Sequence, residues 1–283
     1  MRTTRWVVVG LAVWMTLPAA SVAVEQYAAV PAKLHGKHTL VVRGSIGRLE
    51  RLNFVIDTGA VPTVVDEHIA RKLTLSGEDE PLWLFSRTVQ AHRVVLPRVR
   101  VGPIDAPSLP ALVQDLSFIE RDLGVRIDAL IGLDLLAPRT FCLDYESKEL
   151  VFGPARLKGS SATIEPGLAY AVVHLDVQGQ PLRLLVDTGG KNIVLFDRAI
   201  RGRLPGLRVV GEKVSQNVGG QFRVRQVKLP AARLGDITLY NLGAYVLNSS
   251  GVEGMELDGL LGPTALGARR FQFDFAGNIV RWQ

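Results

Sequence analysis

Two Asp-Thr-Gly tripeptides, Asp57-Thr58-Gly59 and Asp187-Thr188-Gly189, occur in this 283-residue chain, one in each half. Each closes an apolar run, Phe54-Val55-Ile56 before the first and Leu184-Leu185-Val186 before the second, and each is followed by further apolar residues. Matched contexts of this kind imply a duplicated lobe in which each half contributes one carboxylate to a shared site. Two carboxylates held close together cannot both ionise easily, so the pair keeps a single proton. One member then serves as general base towards a water while the other donates a proton to a carbonyl. Such chemistry needs neither a metal nor a covalent intermediate, and no cofactor is expected.

The residues beside each aspartate suit that task. Gly59 and Gly189 allow close backbone approach. Thr58 and Thr188 carry hydroxyls able to hydrogen-bond across an interface between the halves. Apolar surroundings would exclude water and strengthen the electrostatic interactions inside.

The elements that must position these residues repeat with them. After each motif comes an Asp-led segment, Asp66 to Leu73 and Asp197 to Leu204, each expected to form a short helix capped by its aspartate. Leu96-Pro97 to Gly102 matches Leu229-Pro230 to Gly235. Residues 127–152 align without a gap to residues 257–282, with Asp128, Leu130, Gly132, Leu136, Arg139, Phe141 and Asp144 recurring as Asp258, Leu260, Gly262, Leu266, Arg269, Phe271 and Asp274. The intervening segments are short, β-branched and alternating, and turn residues separate them. The expected fold is therefore mostly β, with two lobes related by a pseudo-twofold axis, each a closed barrel-like sheet with one or two short helices. Residues 24–153 form the first lobe, 154–164 a linker and 165–283 the second lobe.

Other chemistries find no support. The histidines (His35, His38, His68, His92 and His174) are scattered without zinc-type spacing and suit surface or capping roles, and no G-x-S-x-G elbow or phosphate-binding G-x-x-x-x-G-K-[ST] loop occurs. Asp134, Asp144 and Asp274 read as caps or turn residues. The net charge of +6 is dispersed, without a basic block or an aromatic platform, so no nucleic-acid partner is expected and only a mild preference for acidic partners follows. Cys142 is the sole cysteine, which precludes an internal disulfide, and it reads as a small buried apolar residue.

Residues 1–23 read as a secretory signal peptide. Arg2 and Arg5 precede an apolar run from Trp6 to Leu17, and Ser21-Val22-Ala23 offers small residues for cleavage after Ala23. The run is short for a bilayer span. A periplasmic or secreted protein without stable membrane insertion is expected.

On these motifs the chain resembles the retropepsin-like and pepsin-like aspartic proteases, in a single-chain two-lobe form. In that family two aspartates share one proton. The family pattern of a strand ending in Asp-Thr-Gly, a flap hairpin, two apolar residues with a glycine and a short helix recurs in both halves. Leu130-Ile131-Gly132 and Leu260-Leu261-Gly262 supply the apolar-apolar-Gly element, and Asp-Thr-Gly-Ala (Ala60) matches the retropepsin form. The resemblance implies that Asp57 and Asp187 are the catalytic pair of an aspartic endopeptidase acting on polypeptides. It implies that Thr58, Gly59, Thr188 and Gly189 support them, with Leu130–Gly132 and Leu260–Gly262 packed against the motif loops. A fused pair completes its own site, so a monomer is expected.

The symmetry is imperfect. Gly190-Lys191-Asn192 follows the second motif, and Lys191 is expected to face solvent. Gly219 and Gly220 tip an expected flap hairpin in the second lobe. The aligned region of the first lobe, Trp83 to Thr88, has no glycine, and there Trp83 and Phe85 are candidate substrate contacts or core residues. The contrasting reading of the whole chain is a duplicated β-domain that has lost hydrolysis and serves as a peptide-binding or envelope-structural module.

Overall fold

A computed structural model describes residues 27–36, 38–83, 88–154, 157–217, 220–248 and 256–283. Residues 1–23, read above as a signal peptide, Phe85 and Gly219 lie outside the described residues, as does the side chain of Trp83.

The first lobe contains β1 (Ala28–His35), β2 (Thr39–Ile46), β3 (Leu49–Ile56), β4 (Val64–Asp66), α1 (Glu67–Leu73), β5 (Gly77–Trp83), β6 (Thr88–Val101), β7 (Ile104–Gln114), α2 (Ser117–Leu123), β8 (Ala129–Ile131), α3 (Leu133–Leu136), β9 (Phe141–Asp144) and β10 (Glu149–Phe152). The second repeats this order as β11 (Ser160–Thr163), β12 (Val172–Val177), β13 (Gln180–Val186), β14 (Ile193–Phe196), α4 (Asp197–Ile200), β15 (Arg208–Asn217), β16 (Gly220–Leu234), β17 (Ile237–Leu247), β18 (Gly259–Leu261), a 3-10 turn (Pro263–Leu266), β19 (Arg270–Asp274) and β20 (Ile279–Trp282). The first lobe thus carries three short helices where one or two were expected; α2 is the addition, in the connection between β7 and β8.

In each lobe the strands close into a ring. The order β2-β3-β8-β4-β7-β6 is completed by pairing of β6 with β2, and β12-β13-β18-β14-β17-β16 by pairing of β16 with β12. Closure leaves few free edges. It also explains why strands such as β2, with Thr39 to Val42 all buried, do not show simple alternation. One face of these strands fills the barrel, where Leu40, Val42, Phe54 and Ile56 pack together. The other face carries a second apolar patch with Val41 and Val55.

A third sheet joins the lobes, in the order β11-β20-β19-β9-β10-β1. Its centre is the antiparallel pair β9–β19, where Phe141 faces Phe273, Cys142 faces Gln272 and Leu143 faces Phe271. Because Phe141, Cys142 and Leu143 are the repeat equivalents of Phe271, Gln272 and Phe273, the pseudo-twofold axis passes through the Cys142–Gln272 pair. Phe141 stacks on Phe273 with ring centroids 4.8 Å apart. Such pairing contributes beyond simple area burial. Cys142 is buried here, and burial pushes its thiol up to about 12, which leaves it inert.

Local expectations are met unevenly. Asp66 caps α1 by accepting from the His68 N–H. Asp197 does not cap α4; it begins that helix and pairs instead with Arg201 and Arg225. His68 is not a surface residue. Its ring lies between two carboxylates, with Nδ1 against Asp66 and Nε2 2.8 Å from Asp128, all three side chains nearly buried. In the second lobe the equivalent of Asp128, Asp258, is held by Arg203 at 2.7 Å.

Both lobes project a hairpin. Trp83 pairs with Thr88 and Leu82 with Val89 in the first, and Asn217 pairs with Gly220 in the second. Residues 88–91 pair only with β5, and 220–223 only with β15, so both arms extend past the barrel walls. The absence of glycine between Trp83 and Thr88 therefore does not prevent a hairpin; strand pairing from Trp83 with Thr88 as far as Gly77 with Val94 forms it.

Candidate active site

Each aspartate ends a central strand. Asp57 follows β3 and its N–H donates to the Ile131 carbonyl at 3.0 Å; Asp187 follows β13 and its N–H donates to the Leu261 carbonyl at 2.9 Å. The supporting strand β8 runs parallel to β3 and antiparallel to β4, so it grips the chain on both sides of the first motif. β18 does the same for the second. The glycine closing each apolar-apolar-Gly element is required by contact. A Cβ on Gly132 would fall 2.2 Å from the Ala60 carbonyl oxygen, and one on Gly262 would fall 2.5 Å from the Gly190 carbonyl oxygen.

The two motif loops meet across the pseudo-twofold axis. The Thr58 N–H donates to Thr188 Oγ1 at 3.0 Å and the Thr188 N–H donates to Thr58 Oγ1 at 3.1 Å. Each hydroxyl in turn donates to a carbonyl of the other lobe, Thr58 to Val186 at 2.7 Å and Thr188 to Ile56 at 2.9 Å. Both threonines are almost fully buried, so each buried polar atom in this lattice has a partner.

Above this lattice the carboxylates of Asp57 and Asp187 meet, so close that a single Cβ added to Gly59 would lie 2.9 Å from Asp187 Oδ1 and 3.2 Å from Asp57 Oδ1. Each is also tied to its own loop. Asp57 Oδ1 accepts from the Gly59 N–H at 2.9 Å, and Asp187 Oδ1 accepts from Gly189 at 2.9 Å and from Gly190 at 3.2 Å. The motif glycines leave no room for a side chain. A Cβ on Gly59 would sit 2.9 Å from Asp187 Oδ1, and one on Gly189 would sit 2.8 Å from Asp57 Oδ2.

Burial pushes both carboxyls above the ordinary carboxylate range; for Asp57 the charge of Asp187 and the hydrogen bond to it add to the effect. Asp187 is restrained by its hydrogen bonds from Asp57, Gly189 and Gly190 and by the charge of His38, all of which favour its ionised form. Two carboxyls held this close above the ordinary range ionise one at a time, as a pair.

Apolar patches flank both carboxylates. Val55 lies two residues before Asp57 and Leu185 two before Asp187, so each shares its strand face with an aspartate. Around Val55 cluster Val64, Ala91, Leu112 and Leu130; around Leu185 cluster Phe196, Val224, Leu257 and the partly buried Val194, Tyr245 and Leu260. These patches were not singled out from sequence. Their signal is the fixed distance of two residues from the motif aspartate, legible once strand alternation is applied.

The lobes also exchange a contact beside the site. The Tyr170 hydroxyl, from the second lobe, donates to the Val61 carbonyl in the loop after the first motif at 3.2 Å. Lys191 follows the second motif and is exposed, as expected. Gly220 begins β16 at the end of the second arm, and Trp83 ends β5 in the first. Among the described residues no cluster of His, Cys, Asp or Glu could hold a metal ion.

The described geometry has two lobes, each offering an Asp-Thr-Gly loop braced by an apolar-apolar-Gly strand. The model of a protein family described as aspartyl protease matches the chain twice, over residues 40–135 and 173–264. The chain belongs to the aspartyl protease family, and the double match accords with its internal repeat. No curated protein matches it significantly.

Proposed function

We propose that this protein is an aspartic endopeptidase in which Asp57 and Asp187 together activate a water for attack on a peptide bond. Family membership supports a protease acting on polypeptides. The observation that carries the finer reading is the meeting of two carboxyls, one from each lobe, so close that one Cβ added to Gly59 would lie within 3.2 Å of both; burial raises both of them. Asp187, whose carboxylate accepts from the Gly189 and Gly190 N–H groups, is in this proposal the base that takes a proton from water. Asp57 holds the shared proton and donates it to the substrate carbonyl oxygen. The resulting tetrahedral intermediate collapses when the carboxyl that received the water proton protonates the amide nitrogen and Asp57 takes a proton back from one hydroxyl, so that the C–N bond breaks to a carboxylic acid and an amine. The two projecting hairpins are placed to cover a bound polypeptide, which would exclude water during the reaction.

Among the described residues no helix is long and apolar enough to cross a membrane. The signal-like segment at residues 1–23 leads us to extend the proposal to an exported enzyme; the N-terminal sequence of protein recovered outside the cytoplasm tests that extension.

The activity is tested with an unfolded protein such as casein and a diverse peptide library, across acidic to neutral pH. Cleavage by the wild type, abolished by Asp57→Asn and by Asp187→Asn, is expected. Binding of library peptides without cleavage by the wild type would instead assign a binding module.

A further inference from the structure

The pseudo-twofold axis relates backbone to backbone, but it does not relate charge to charge around the site. In the first arm, Glu80 lies opposite Ala91, a member of the apolar patch beside Asp57. Glu80 is neutralised within its own hairpin, because Arg93 donates to both its carboxylate oxygens at 2.7 Å. The corresponding residue of the second arm is Lys213, opposite Val224 in the patch beside Asp187. Residues directly opposite across an antiparallel pair share a face. Lys213 is exposed, and its ammonium lies over the Tyr245 ring, 5.7 Å from the centroid. Tyr245 in turn stands opposite Val194 on β14.

A second lysine stands close to the start of that strand. Lys191 occupies the place that Val61 holds in the first lobe. Its neighbour Gly190 is so close to the site that an added Cβ would sit 3.3 Å from Asp187 Oδ2. The Lys191 backbone is fixed, since its carbonyl accepts from the Thr264 hydroxyl at 3.2 Å. Among the described residues neither Lys191 nor Lys213 has a carboxylate partner. Two ammonium groups without a carboxylate partner, one beside the second motif and one opposite the patch next to Asp187, favour an anion on this side. A polypeptide supplies that anion as an Asp or Glu side chain.

We infer that Lys191 and Lys213 form a cationic subsite on the second-lobe side of the cleft, selecting substrates with a carboxylate side chain on one side of the scissile bond. The first lobe, with Val61 and the neutralised Glu80, offers no such preference. This inference rests on the endopeptidase reading above, and its test separates the two.

Matched peptides carrying Glu or its isostere Gln at each position flanking the cleaved bond are compared at a pH where free glutamate is ionised. The protein is the wild type, Lys191→Gln, Lys213→Gln or the double variant. At one position the wild type is expected to favour Glu over Gln in kcat/KM by about fivefold or more, the upper range for a surface ion pair. The ratio should fall towards one in each lysine variant and with added salt. Lys191→Glu should shift preference at that position towards Lys. A ratio near one at every position in the wild type, or a preference that survives in the double variant, overturns the inference while leaving the endopeptidase reading intact. Should neither peptide be cut, that reading fails instead. The same Glu-to-Gln ratio is then read as peptide binding to wild type and Asp57→Asn protein, where equal affinities overturn the inference and a lysine-dependent preference for Glu supports it.

Discussion

Thr58 and Thr188 each receive a hydrogen bond from the other's backbone N–H, at 3.1 and 3.0 Å, while their hydroxyls donate onward to Val186 and Ile56. Each motif loop is therefore positioned by the other lobe. The carboxylates one residue earlier inherit that constraint, so the lobe interface and the candidate active site share one network.

Replacing either threonine by valine keeps the volume and removes the hydroxyl, leaving a buried N–H and a buried carbonyl unpaired. Thr188→Val is expected to cost about 2–4 kcal/mol of stability in urea unfolding. Thr188→Ser should retain most of it. The Thr58→Val/Thr188→Val pair should be strongly non-additive, because both changes break the same lattice.

The raised carboxyls predict a pH dependence with a definite sign. A carboxyl whose folded-state value lies above the ordinary 3.8 binds more protons folded than unfolded. Its contribution to stability is complete below that ordinary value and is lost as the pH rises through the raised value. The difference in unfolding free energy between wild type and Asp57→Asn should therefore become less favourable to wild type as pH rises from acid to neutral. On the proposed mechanism activity requires the singly protonated pair, so it should persist above the ordinary carboxylate range and then fall as the shared proton is lost. A pH profile of kcat/KM measures this alkaline limb.

Glycine substitutions should separate chemistry from folding. In Gly189→Ala the new Cβ would meet Asp57 Oδ2 at 2.8 Å, displacing a reacting group. We expect kcat/KM to drop by about 100-fold, the usual result of misplacing a catalytic group by about an ångström, with secondary structure retained by circular dichroism. In Gly132→Ala the obstacle is the Ala60 backbone at 2.2 Å, so loss of folding is expected as well, seen as a lowered Tm.

His68 links α1 to the start of β8 through Asp66 and Asp128, and Asp66 Oδ2 also accepts from the Leu116 N–H at 2.8 Å. His68→Ala should cost about 2–4 kcal/mol, since it strips partners from two nearly buried carboxylates. Arg71→Ala, on the same helix, breaks only an exposed pair with Glu67 and should cost under about 0.5 kcal/mol. Equal effects in denaturant titrations would refute this ranking.

Much of the architecture was legible in the residues themselves. The doubled Asp-Thr-Gly, the doubled apolar-apolar-Gly element and the gapless match of 127–152 to 257–282 specify two copies of one mostly β lobe. What could not be read is equally specific. Asp66 and Asp197 head equivalent segments, yet only Asp66 caps its helix, because Arg201 and Arg225 draw Asp197 aside. His68 looks like any helix-surface histidine until Asp128, remote in the chain, is folded against it. The first arm has no glycine between Trp83 and Thr88 but forms by strand pairing.

The sequence by itself determined the local chemistry: which residues carry carboxylates, which positions need glycine and which segments alternate. These follow from covalent order and backbone preference. Only the tertiary structure decided which copies remain equivalent. Strand register and lobe docking bring Asp57 onto Asp187, Tyr170 onto Val61 and Lys213 onto Tyr245, and such through-space pairings depend on contacts between residues far apart in the chain. The aspartates are thereby symmetric in origin and unequal in surroundings: the Gly189 and Gly190 N–H groups and the charge of His38 act on Asp187, whereas Gly59 of its own loop and Gly189 of the other act on Asp57.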